Sequence, residues 1–209
     1  AAIKNGSYGK LMKAYYAKQD AEKLSGKGDT SQKLTLMKTS ADSLKKSADA
    51  LNDSSLWEKK KIKKKDEKTG EEIEVEDYDW DKITKAVKSF VEDYNDVVKE
   101  AGESNTKDVL RNASWMTGMT DKNSNMLAKI GITIGKGNKL ELDEDALKQA
   151  DISSLKTVFT GYNSFVSKIS QKATGISNAA NRASATYTNN GTYSKTDSSL
   201  TSSKIDKEV

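Results

Sequence analysis

Apolar residues recur at alternating intervals of three and four along three stretches of the chain, with Lys, Ser, Asp and Glu between them. This spacing aligns them as one stripe on an α-helix, and its seven-residue period is that of helices packed side by side. In "LTLMKTSADSLKKSADAL" the stripe is Leu34, Met37, Ala41, Leu44, Ala48 and Leu51. In "DWDKITKAVKSFVEDYNDVVKEAG" it is Trp80, Ile83, Val87, Phe90, Tyr94, Val97 and Ala101, widened by Val91 and Val98 to the face of a globular bundle. Asp79 suits the N-cap of this helix and Gly102 its C-terminal stop. A third stripe, Leu155, Val158, Tyr162, Phe165, Ile169, Ile176, Ala179 and Ala183, predicts one long helix that thins to Ala at its end. Such thinning permits close approach of a neighbouring helix, or leaves an interface that a partner completes.

Shorter helices are expected over residues 7–24, through Leu11 and Tyr15, and over 106–130, through Leu110, Ala113, Met116, Met126, Leu127 and Ile130. Between residues 56 and 80 the pattern changes to period two. Seven lysines from Lys59 to Lys68 precede Thr69-Gly70, and a dense run of Glu and Asp follows. Folding back around Lys68 and Thr69 sets Ile62 opposite Val75, Lys61 opposite Glu76, Lys63 opposite Glu74, Lys65 opposite Glu72 and Trp57 opposite Trp80. A second, smaller hairpin is read at 131–143: Ile132 and Ile134 on one strand, a turn over Gly135 to Asn138, Leu140 and Leu142 on the return, and Asp143 capping a short helix.

These elements predict a mainly α fold, an elongated helical bundle with coiled-coil-like heptad helices and two small β-hairpins. The bundle is expected to form one domain over residues 1–188, with the charged hairpin at 56–80 and the small one at 131–143. Residues 189–209 are almost wholly polar and read as a flexible tail.

Composition limits the chemistry. The 209 residues include no Cys, His or Pro. The commonest general base, the thiol nucleophile, disulfides and the usual transition-metal ligands are therefore missing. Leu, Ile, Val and Phe make up under a fifth of the chain, yet the net charge is only +4, so the composition is not that of a disordered protein. No run reaches the about 18 apolar residues of a membrane span, and "AAIKNGSYGK" lacks the apolar centre of a signal peptide.

Three stretches invite a functional reading. The lysine run resembles a nucleic-acid or membrane patch, but the acidic run beside it makes a self-neutralised hairpin the simpler account. "KIGITIGKGNKLELDEDALKQAD" has the glycines of a phosphate loop and the acids of a calcium loop. Gly131 and Gly135 enclose three residues where a phosphate loop needs four, and Lys136 is followed by Gly137 instead of Ser or Thr. Counted from Asp143, the sixth and twelfth positions of a calcium loop fall on Lys148 and Ser154 instead of Gly and Glu. Glu141 and Asp143 have no apolar surroundings to separate them into an acid and a base. No catalytic residue, cofactor site or metal site is assigned.

"VKSFVEDYNDVVKEAGES", "VLRNASWMTGM", "LAKIGITIGKGNKLELDEDALKQAD" and "LKTVFTG" together resemble the carboxy-terminal region of the bacterial flagellar filament-cap proteins, the hook-associated protein 2 family. The resemblance spans residues 80–161 and rests on Tyr94, Asn95, Gly131, Ile132, Leu140, Leu142, Asp143, Leu147 and Phe159. It implies a secreted, non-enzymatic structural protein at the bacterial flagellum. Its expected partners are flagellin-like or flagellar hook-filament proteins and further copies of itself as a homo-oligomer, with no nucleic acid and no membrane span. The alternative is a secreted or cell-surface adhesion module that uses the charged hairpin or exposed Tyr and Trp residues.

Overall fold

The computed structural model describes residues 28–66 and 70–185. The helix expected over 7–24, the bend at Lys68 and Thr69, and the tail at 189–209 lie outside them.

The first heptad stretch forms α1 (Ser31–Asn52), capped by the Thr30 hydroxyl, which accepts from the Lys33 N–H. Its buried residues are Leu34, Met37, Ala41, Leu44, Ala48 and Leu51, the six of the stripe. The second forms α2 (Trp80–Glu103), where Asp79 accepts from the Lys82 N–H as expected and Trp80 is only half-buried. Gly102 does not end this helix. The backbone continues to Glu103, and Ser104 is the C-cap, its N–H donating to the Ala101 carbonyl.

Helices α3 (Lys107–Lys122) and α4 (Ser124–Ala128) occupy the stretch expected to be one helix over 106–130. The break falls at Asn123, whose side chain donates to the Met119 carbonyl at 2.7 Å and so replaces a forward helical turn with a local closure. After the small hairpin come α5 (Glu144–Gln149), α6 (Ile152–Phe159) and α7 (Phe165–Ala185). The single long helix expected from Leu155 to Ala183 is thus two. Gly161 takes φ +98°, a left-handed turn that glycine enters without steric cost, and its N–H donates to the Asn52 side chain at 2.8 Å. Ser164 restarts the helix by accepting from the Ser167 N–H. The interruption swings Tyr162 off the apolar stripe, leaving it 82% exposed.

Helices α1, α2, α3 and α7 run up, down, up and down, with α1 packed between α2 and α7, and α3 against α7. Their directions follow from cross-contacts: Ser177 and Ser170 of α7 donate to Asp42 and Asp49 of α1, and Arg182 pairs with Asp108 at 3.7 Å while Lys172 lies over Trp115. The stripes converge on one core that also takes in Leu127, Ile130, Ile132, Leu140 and Leu147. At the corner between α2 and α3 the buried Asp29 carboxylate gathers the Ser104 and Thr106 hydroxyls and the Asn105 and Thr106 N–H groups at 2.6–2.9 Å.

The charged hairpin pairs β1 (Lys60–Lys65) with β2 (Glu72–Asp77), antiparallel, with Ile62 opposite Val75, Lys61 opposite Glu76, Lys63 opposite Glu74 and Lys65 opposite Glu72. The expected register holds, but the ion pairs are diagonal: Lys63 with Glu72 at 3.6 Å, and Lys64 with Asp77 at 2.6 Å on the opposite face. The ladder also stops short of the tryptophans. Trp57 belongs to a 3₁₀ turn (Ser54–Trp57) and stacks on Phe159 at 5.4 Å between ring centres. Its indole N–H donates to the Leu51 carbonyl at 2.8 Å. Burial of the indole, with a partner for its one donor, outweighs extension of an exposed ladder. The small hairpin pairs β3 (Ile132–Ile134) with β4 (Leu140–Leu142), as expected.

Candidate functional site

The motif residues meet where α2 passes the small hairpin. Tyr94 points into the core, fully buried, and its hydroxyl donates to Thr120 of α3 at 2.9 Å. Burial pushes its phenol well above the ordinary value and the Thr120 hydrogen bond only partly offsets this, so Tyr94 stays neutral. One position on, Asn95 turns toward β4. Its amide Nδ2 donates to the Leu140 carbonyl at 2.9 Å, and its Oδ1 accepts from the Leu140 N–H at 2.7 Å. Consecutive residues on one helix thus hold two different elements, the hydroxyl fixing α3 and the amide fixing the hairpin.

Gly131 enters β3 with φ +78°, and a methyl group there would stand 2.6 Å from the Asp143 carbonyl and 2.9 Å from the Leu147 nitrogen. The close approach lets the Gly131 carbonyl accept from the Asp143 N–H at 2.8 Å. Asp143 in turn caps α5, accepting from the Asp145 and Ala146 N–H groups at 3.0 and 2.9 Å. Ile132, Leu140 and Leu147 are buried, and Leu142 packs against the core half-buried. An ion pair from Lys88 of α2 to Glu144 at 3.2 Å spans the outside of the junction. Phe159 serves a different junction, between α6 and the 3₁₀ turn.

Gly131, Asp143 and Glu144 of this stretch thus have structural tasks. Among the described residues no three His, Cys, Asp or Glu side chains are grouped to hold a metal ion. No described helix is long and apolar enough to cross a membrane. An open groove between α1 and α2 contains Asp93 with Ser43, Ser47, Lys82 and Ser89. Burial raises the Asp93 carboxyl, a hydrogen bond from Ser47 works against it, and Asp96 and Glu92 push it further up.

Two features escape the stripe analysis. Lys38, Asp42 and Ser177 form a clasp between α1 and α7, and one heptad away Lys45, Asp49 and Ser170 form another. Burial works to raise both aspartates, but the lysine and serine hydrogen bonds hold them below the usual carboxylate value. The repeat of Lys and Asp four apart was visible in the sequence as helical ion pairs, while the serines belong to a helix more than a hundred residues later. The other feature is an exposed patch on α3, where Trp115 is 61% exposed beside Gly118, Met119 and Lys122, with Lys172 4.7 Å from the ring centre.

No curated protein and no solved structure matches the chain. The sequence model of the family described as flagellar hook-associated protein 2 C-terminus matches residues 104–208. This match overlaps the expected span 80–161 from residue 104 onward and extends through α7. It contains Gly131, Ile132, Leu140, Leu142, Asp143, Leu147 and Phe159, whereas Tyr94 and Asn95 precede it. With half of its length matched, the chain belongs to the flagellar hook-associated protein 2 C-terminus family.

Proposed function

We propose that the chain is a non-enzymatic structural component of a flagellar filament cap, located outside the cell, which packs against flagellin-like helices and associates with copies of itself. The observation that carries this reading is the family match over residues 104–208. A chain without His or Cys lacks the commonest general base and the thiol nucleophile, and the motif residues other than Phe159 are engaged in joining α2, α3, the small hairpin and α5. On this reading they form a rigid support, and partners are met by exposed surfaces such as the Trp115 patch.

The test is co-sedimentation of the purified chain with flagellar filaments of its own source, together with end-labelling in electron micrographs. Binding concentrated at filament ends is expected. Absence of binding to filaments, or uniform binding along their length, would overturn the cap reading. Light scattering of the chain alone tests self-association.

A further inference from the structure

We propose that the charged hairpin is a docking edge for a second copy of this chain, the lysine strand β1 of one molecule lying beside the acidic strand β2 of the next. The proposal rests on the self-association reading above and names the surface through which it occurs.

Among the described residues the two strands form a sheet of their own, so each has a strand neighbour on one side only. An edge strand presents backbone N–H and C=O groups as a template for another strand. Here the edges are opposite in charge: β1, "KKIKKK", carries five lysines, and β2, "EIEVED", carries three glutamates and an aspartate. Most of these side chains are exposed. A charged edge normally repels a copy of itself, and two-fold pairing of β1 with β1 or β2 with β2 would do so. Pairing of β1 with β2 of a neighbour places unlike charges together, so the charge pattern blocks the symmetric contact and favours the head-to-tail one.

The internal register supplies the geometry for the external one. Lys61, Lys63 and Lys65 share a face with Glu72, Glu74 and Glu76, while Ile62, Ile73 and Val75 share the other. Repeating that register between molecules flanks each glutamate row with lysines from both sides. On the reverse face it joins Ile62 of one copy to Ile73 and Val75 of the next, covering Ile73, which is 40% exposed. Two lysines, Lys59 at 5.7 Å and Lys156 of α6 at 5.9 Å, lie over the Tyr78 ring at the base of the hairpin and orient it relative to the bundle. Strand twist of about 20–25° per step then fans successive bundles around the shared sheet. A heterologous contact of this kind extends to a ring or an open chain.

The experiment uses the full chain and a variant with both rows exchanged, Lys61, Lys63 and Lys65→Glu with Glu72, Glu74 and Glu76→Lys. The exchange keeps each hairpin complementary within itself. By sedimentation, wild type and exchanged variant are each expected to self-associate, at least tenfold more weakly in about 1 M than in about 0.1 M salt as the Debye length contracts. As a second variant, Ile73→Lys is expected to weaken association at least tenfold while leaving the thermal transition of the bundle in place. Failure of the exchanged variant to associate, or unchanged association of Ile73→Lys, overturns the hairpin edge and leaves self-association standing. A wild-type chain that stays monomeric at low salt overturns both. Capture of the lysine strand by duplex DNA in place of a second copy also overturns the proposal.

Discussion

Asn95 and Leu140 are joined by two hydrogen bonds, one in each direction, so that a helix side chain takes the place of a neighbouring strand for β4. The hairpin β3–β4 has only three residues a strand, and short two-stranded sheets are marginal alone. The amide of Asn95 and the buried Ile132 and Leu140 are what attach it to the bundle.

Asn95→Ala is therefore expected to destabilise the protein by about 1–3 kcal/mol, because both polar groups of Leu140 lose their partner. Asn95→Asp should be at least as harmful, since its carboxylate faces the Leu140 carbonyl without a donor. Urea denaturation of the three proteins checks the order.

Two glycines should respond in opposite directions to alanine. Gly131→Ala forces a methyl group against the Asp143 carbonyl at a positive φ and is expected to cost at least 1–2 kcal/mol by the left-handed penalty alone, in rough terms. Gly102 lies in α2 with nothing within 4 Å of its would-be methyl, so Gly102→Ala should stabilise by about 0.5–1 kcal/mol. Thermal melts of both variants decide it.

Acid stability should depend on Asp29. Burial pushes its carboxyl up, but hydrogen bonds from Ser104, Thr106 and Asn105 outweigh this and leave it below the ordinary 3.8. A depressed folded value means that its contribution is complete above the unfolded value and is lost as pH falls through the folded one. Asp29→Asn is expected to lose about 1–3 kcal/mol at neutral pH, and the gap from wild type should narrow below about pH 4. A gap independent of pH would show that the charge contributes nothing beyond the hydrogen bonds.

Removing the clasps of α7, by Ser170→Ala or Ser177→Ala, should cost about 0.5–1.5 kcal/mol each. The two serines are one heptad apart, near the limit at which effects become independent, so the double variant is expected to be additive within about 0.5 kcal/mol. A double-mutant cycle by chemical denaturation measures the coupling.

Particular residues show where the sequence was legible. The six stripe positions of α1 are spaced so regularly that a single helical face accounts for them, and all six are buried, while Leu36 and Ala50 fall off that face and are exposed. Both hairpins followed from period-two patterning, which fixes register because a one-residue slip turns every side chain over. The break at Gly161 was hidden because Val158, Tyr162 and Phe165 keep heptad spacing across a turn that is not helical. Trp57 was assigned to the ladder because cross-strand position was weighed without its partner Phe159, about a hundred residues on. Asp29, like the clasps, draws its partners from a distant part of the chain, and spacing within one element carries no trace of them. The motif residues were recognisable as a set, but what Asn95 grips was not.

The heptad repetition of the clasps has a consequence for how α1 and α7 slide. Ser170, Ser177 and Ser184 all lie seven residues apart in α7, and Asp42 and Asp49 do so in α1. A displacement of α7 by one heptad, about 10.5 Å along its axis, would bring Ser177 to Asp49 and Ser184 to Asp42, so polar matching alone permits two alignments. The apolar side chains do not repeat in the same way: the same displacement carries Ala173 into the place of Val166, and Ala183 into the place of Ile176. The taper from Phe165 and Val166 down to Ala179 and Ala180 thus makes one alignment full and the other hollow. What looked like a weakening of the stripe is what tells the helix where to stop.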